Sequence, residues 1–223
     1  METLTLIIAN KKYSSWSMRP WLFLKHYQIP FSEVLIPLYK ADSHAVISQY
    51  SPTGLVPVLK HGDLTVWESL AILEYIAELY PQTQAWPADR RARALARAIS
   101  SEMHAGFIPL RSNLTTNVIA RYQWQDCSEA VKSDIARIEA IWAQCRRDYG
   151  KSGPWLFGEF SIADAMFAPV ATRFRTYNAP ISASSRAYVE SIHQLPAFQS
   201  WYNEALNEKE VIPAYEYTHW QRI

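Results

Sequence analysis

Cysteine is scarce in this chain: Cys127 and Cys145 are the only two in 223 residues. Two cysteines cannot build a disulfide framework, and they lack the CxxC spacing of a zinc site or a thioredoxin-type redox site. Both are read as reduced helix residues. The six histidines show no HExxH or other ligand spacing, so no metal is expected. Excess charge is also missing. Twenty-two basic residues against 21 acidic ones leave a formal charge of +1, which gives no global field for a polyanion or an anionic membrane; no nucleic-acid or membrane partner is expected. No run approaches the ~18 to 20 apolar residues that span a bilayer. The apolar stretch near the N-terminus has no basic segment before it and no small-residue cleavage site after it, unlike a secretory signal, so a cytoplasmic protein is expected. Gly153 to Gly158 has the glycine spacing of a phosphate loop, but Glu159 follows where that loop needs lysine.

What the chain does contain is apolar and aromatic residues, 49% hydrophobic with nine Trp and thirteen Tyr, enough to bury a sizeable core. Leu4 to Ala9 reads as a buried strand, Trp16 to Tyr27 has apolar residues at helical spacing, and Phe31 to Leu38 alternates as a second strand. Ser43 to Tyr50 suits a short helix. Val56 to Leu59 and Leu64 to Val66, joined through His61-Gly62-Asp63, suit a hairpin, and Glu68 to Tyr80 carries an apolar helical face. The order βαβαββα fits a small mixed sheet with helices on its faces, a thioredoxin-like arrangement. Beyond the polar, proline-bracketed stretch from Pro81 to Pro87 only helical periods appear, the first running from Asp89 to about Val118. The expected organisation is therefore α/β plus all-α: residues 1–81 a thioredoxin-like domain, 82–88 a linker, and 89–223 a helical bundle. Ser161 and Asp164 have the spacing of a capping box at the start of one of its helices.

Three ordered strings carry a more specific signal: YSSWSMRPW from Tyr13, SPTGLVPVL from Ser51 and WESLAILEYI from Trp67. Together they resemble the glutathione transferases, and the zeta class, related to the maleylacetoacetate isomerases, above all. Ser14, Ser15, Ser17 and Arg19 match the serine-bearing string of that class, with Trp16 in place of its cysteine. HAGFIPLRSNL from His104 is similar to the zeta-class helix at the domain boundary.

The resemblance implies a bound glutathione whose thiolate attacks a small, partly apolar electrophile, ending as a conjugate or, if glutathione leaves again, as a cis-trans isomerisation. It also implies a homodimer with a role in detoxification. A non-catalytic interaction module is the rival reading, disfavoured by the retained Ser14, Ser15, Glu68 and Ser69; Trp16 stands where thiol-disulfide exchange would want a cysteine. By the resemblance, Ser14 or Ser15 donates to the thiolate, with Trp16 beside them. Val56, before a cis Pro57, pairs with the cysteinyl backbone. Glu68 and Ser69, at a helix start that favours a carboxylate, take the γ-glutamyl end. Lys11, Lys12 and Gln49 are candidates for the glycyl end. Arg111, Arg173 and Arg175 are candidates for the second substrate.

Overall fold

The computed structural model describes residues 3–217 and 220–223. The apolar run Leu4–Ile8 forms β1, one of two inner strands of a four-stranded sheet ordered β2-β1-β3-β4, with β2 Phe31–Leu35, β3 Val58–His61 and β4 Leu64–Trp67. β1 pairs in parallel with β2, Ile7 opposite Val34, and antiparallel with β3, Leu6 opposite Leu59. The parallel pairing requires a crossover, which α1 (Ser15–His26) supplies; the β3–β4 hairpin turns at Gly62, whose φ of 56° suits glycine. α2 (Ser43–Ser48) and α3 (Ser69–Leu79) complete the βαβαββα order. Val56-Pro57 is cis.

Among the described residues six α-helices follow: α4 Arg90–Ala105, α5 Ile108–Asn113, α6 Glu129–Tyr149, α7 Ile162–Thr176, α8 Ala183–Gln194 and α9 Pro196–Leu206. α7 is the core of this part. Every residue in it except Arg175 is buried, and its start is held by the Ser161–Asp164 capping box. Asp164 accepts from the backbone N–H groups of Leu156 and Ser161 and from the Ser161 and Tyr188 hydroxyls, at 2.9–3.0 Å. Burial still pushes its carboxyl up to about 6.

Apolar contact is continuous between the sheet part and the helical part. α1, buried from Ser17 through Leu24, packs against α7 and α9, with Met18 beside Thr172 and Trp21 edge-on to Trp201 at 5.1 Å. The stretch between the two parts is packed as well. Trp86 is 8% exposed and donates to Glu74, and the Ala85 carbonyl accepts from Ile162.

Two expectations are corrected. The single helix from Asp89 to Val118 is two: Gly106 ends α4 and Phe107 adopts φ 58°, so the chain turns before α5 restarts with Pro109 in its first turn. Cys127 lies in the loop before the α6 cap Ser128, half-buried and outside any helix, whereas Cys145 is buried on α6; both are free thiols. Among the described residues no helix is long and apolar enough to cross a membrane, and no group of three or more His, Cys, Asp or Glu side chains could hold a metal.

Candidate active site

The chain leaves β1 at Ile8 and reaches the first turn of α1 seven residues later, so the start of that helix lies beside the sheet. Ser14 is the N-cap. Its Oγ accepts from the Ser17 backbone N–H at 3.3 Å and donates to Ser17 Oγ at 2.8 Å, while Ser17 Oγ accepts from the Ala9 N–H at 3.1 Å. Ser14 and Ser17 thus form a buried hydroxyl pair anchored to the end of β1. Ser15, the first helical residue, is half-buried, and its hydroxyl makes no hydrogen bond among the described residues. Free N–H groups and the positive end of the helix dipole favour an anion at this point.

Two cavities meet here, and the Trp16 ring borders both. The first, about 200 Å³, is lined by Leu55, Val56, Pro57, Glu68 and Ser69. Val56 lies just before the ladder residues of β3, outside the sheet pairing. Glu68 turns the chain from β4 into α3 with φ 66° and ψ 121°, a sparsely populated backbone for a residue with a side chain. Such outliers persist where the surrounding structure holds them, often at ligand sites. Ser69 is buried, and its Oγ accepts from Arg19 at 3.3 Å. The second cavity, about 270 Å³, opens between Ser14 and Ser15 on one side and Arg111, Arg173, Thr116 and Tyr215 on the other.

Positive charge collects at the junction. The guanidiniums of Arg19 and Arg111 both lie over the Trp16 ring, 4.1 Å and 4.7 Å from its centroid. Arg173 is 5% exposed and donates to two carbonyls, Leu114 at 2.7 Å and Pro169 at 3.3 Å, with no carboxylate in ion-pair range among the described residues. Arg111 likewise donates, among the described residues, only to carbonyls, those of His104 and Gly106. Burial, and then the repulsion of Arg111, lowers Arg173 to about 10; burial followed by Arg173 and Arg111 lowers Arg19, with Glu68 the one group raising it. Three guanidiniums against one carboxylate make the junction a site where a bound anion relieves repulsion.

Of the residues singled out from the sequence, Ser14, Ser15, Trp16, Val56, Pro57, Glu68, Ser69, Arg111 and Arg173 line these two cavities. Three do not. Lys11 is 3% exposed; its ammonium is paired with Glu33 and Glu204 and lies 5.1 Å from the Trp21 ring, so it ties β2 to α9 and lines neither cavity. Gln49 caps α2 on the exposed surface and lines neither cavity. Arg175 sits two residues beyond Arg173, on another side of α7, where it faces Glu190 of α8 at 3.8 Å. Lys12 pairs with Glu216 at 2.8 Å.

Sequence reasoning missed four contributors. Ser17 holds Ser14 and had only its place in the string to mark it. Tyr13 and Tyr215 meet at a ring distance of 5.7 Å on one wall of the larger cavity, across 202 residues of chain. His104 lies 3.1 Å from Glu68. No local pattern announces either long-range pair.

The family profile "Glutathione S-transferase, N-terminal domain" matches residues 13–79, and "Glutathione S-transferase, C-terminal domain" matches residues 120–204. The chain is 31% identical over 193 residues to maleylacetoacetate isomerase of Rattus norvegicus, covering 83% of this chain and 85% of the relative. It is 26% identical over 204 residues to glutathione S-transferase Z2 of Arabidopsis thaliana, covering 85% and 89%. Among solved structures, a Burkholderia glutathione transferase homologue with bound glutathione superposes with a TM-score of 0.71 at 25% identity, over 93% of this chain and 100% of that one.

Proposed function

The chain belongs to the glutathione S-transferase family, and from that premise we propose that it binds reduced glutathione in the smaller cavity and directs its sulfur at an electrophile held in the larger one. The observation that carries this reading is that Trp16, in the first turn of α1, borders both cavities, while its neighbours Ser14 and Ser15 line the larger one. Glutathione is a co-substrate when a conjugate forms and a catalyst when it departs again.

A free thiol with a pKa near ~8.5 is only about 3% ionised at pH 7, so the site must favour the thiolate by ~2.7 kcal/mol to bring the pKa to about 6.5. Two sources are available. A hydroxyl donating to the anion contributes ~1.5 to 3 kcal/mol and the helix start a further ~0.3 to 1. Ser14 is the donor in this reading. Its oxygen already receives the Ser17 N–H; when a thiolate arrives, the Ser14 proton turns to sulfur and the Ser17 hydroxyl turns to donate to Ser14. Ser15 adds its hydroxyl at the cavity edge. Val56 offers main-chain groups to the cysteinyl unit, and Glu68 and Ser69 receive the γ-glutamyl ammonium and carboxylate.

The electrophile is small, partly apolar and carries a carboxylate, which Arg111 and Arg173 receive. Sulfur forms a bond to the electrophilic carbon. Either a leaving group departs with the bonding pair, or an activated double bond is saturated and its carbanion takes a proton from solvent. In the isomerase variant the carbanion rotates about the new single bond, then expels the thiolate to restore the double bond. The two arginines and the similarity to a maleylacetoacetate isomerase favour keeping this variant beside conjugation.

Steady-state assays with a neutral aryl halide and with maleylacetone test the reading, with turnover of at least one expected. A protein that binds glutathione and turns over neither, nor a peroxide, would be a binding module and the proposal would be wrong. The proposal includes a cytoplasmic homodimer, with a role in detoxification; light scattering of the purified protein at twice 25.7 kDa is the expected result.

A further inference from the structure

His104 is the next-to-last residue of α4 and belongs to the helical part of the chain, yet its ring reaches the corner where β4 turns into α3. Its Nε2 lies 3.1 Å from Glu68 Oε2. Among the described residues no other side chain comes within ion-pair range of that carboxylate. We propose that His104 is a positioning residue for glutathione, holding the Glu68 carboxylate from across the domain interface in the pose that receives the γ-glutamyl ammonium. This rests on the reading of Glu68 given above.

The other ring nitrogen makes the assignment specific. Nδ1 is buried and has no hydrogen-bond partner, so the single proton of the neutral ring belongs on Nε2, facing Glu68. The neutral form is the one the surroundings favour. Burial lowers the His104 pKa first, and the Arg19 and Arg111 guanidiniums lower it further, against the raising effect of Glu68. A neutral donor orients a carboxylate without cancelling its charge, as a lysine or arginine in the same place would. One Glu68 oxygen is then engaged and the other remains for the ligand's ammonium. The ring itself is held. Trp16 packs against it edge-on at 5.2 Å, and the His104 carbonyl accepts from Arg111 at 3.4 Å. Glu68 is half-exposed and lines the smaller cavity, on a backbone with positive φ.

The test is steady-state kinetics and calorimetry with reduced glutathione on the wild type, His104→Ala, His104→Gln and Glu68→Ala. Glutamine's amide is the nearest replacement for the Nε2–H donor. His104→Ala is expected to raise KM and Kd for glutathione about five- to tenfold while kcat and KM for the electrophile stay within about twofold; His104→Gln recovers most of the loss. Adding His104→Ala to Glu68→Ala should bring no further loss, because the histidine acts through the carboxylate. An unchanged glutathione Kd in His104→Ala would overturn the proposal. So would a fall in kcat and in both affinities, together with Tm, that glutamine does not rescue. If the wild type binds no glutathione the parent reading fails. If it does bind, Glu68→Ala weakens binding and His104→Ala does not, this inference alone fails.

Discussion

Replacing Ser14 by alanine removes two interactions that can be measured apart. The first is the N-cap: Ser14 Oγ accepts from Ser17 N–H at 3.3 Å, and losing such a cap costs about 1 kcal/mol of stability. The second appears only with glutathione bound, when the hydroxyl donates to sulfur, and its loss of ~1.5 to 3 kcal/mol raises the bound thiol pKa by about 1 to 2 units. Taking the bound pKa as about 6.5 and the rise as about 1.5 units, the thiolate fraction, and kcat with it, falls about sixteenfold at pH 6.5 but only about 1.1-fold at pH 9. The defect should therefore vanish as pH rises. Ultraviolet absorbance of the bound thiolate against pH measures the midpoint directly, and urea unfolding of the free protein measures the cap. Ser15→Ala is the control, since its hydroxyl caps nothing and should leave the unfolding midpoint alone. A thiolate midpoint that stays put in Ser14→Ala would refute the reasoning; a shift in Ser15→Ala instead would move the donor one residue along.

Two further outcomes follow from buried charge. Arg111→Gln should raise KM for a carboxylate-bearing electrophile about tenfold, equivalent to ~1.4 kcal/mol, and leave a neutral aryl halide within about twofold, read by steady-state kinetics. His193 is 3% exposed, and burial, reinforced by Arg175 and Arg121, lowers its pKa to about 3 against the pull of the Val189 carbonyl. The unfolded chain then binds this proton below about 6.5 and the native one only below about 3, so stability rises with pH across that window and is lost on acidification. Between pH 7 and pH 4.5, His193→Leu should lose about 2.5 kcal/mol less than the wild type by denaturant unfolding.

Much of this arrangement was legible in the chain itself. The apolar run of Leu4 to Ile8, the alternation of Phe31 to Leu35, the hairpin turn at Gly62 and the helical faces beyond Pro87 specify elements through local pattern, which a single sequence displays. The start of α4 to α5 was misread although its signal was present: Gly106 with Pro109 three residues on is a stop followed by a restart. Arg175 was also avoidable, because residues two apart on a helix point about 200° apart and cannot both line one cleft. Lys11 was not. Its position between Glu33 and Glu204 depends on partners 22 and 193 residues away, and nothing near Lys11 distinguishes a buried tether from a surface charge. His104 is the same case in reverse, a residue that looks like any helical histidine until α4 is set beside the Glu68 corner.

The central claim is that the start of α1 binds glutathione as its thiolate, and proton release on binding measures this directly. Calorimetry at pH 7 in buffers of different ionisation enthalpy counts the protons. A bound pKa of about 6.5 predicts release of about 0.7 proton per reduced glutathione, and none for S-methylglutathione, which has no thiol to ionise. Binding of both ligands with the same proton count would contradict the account.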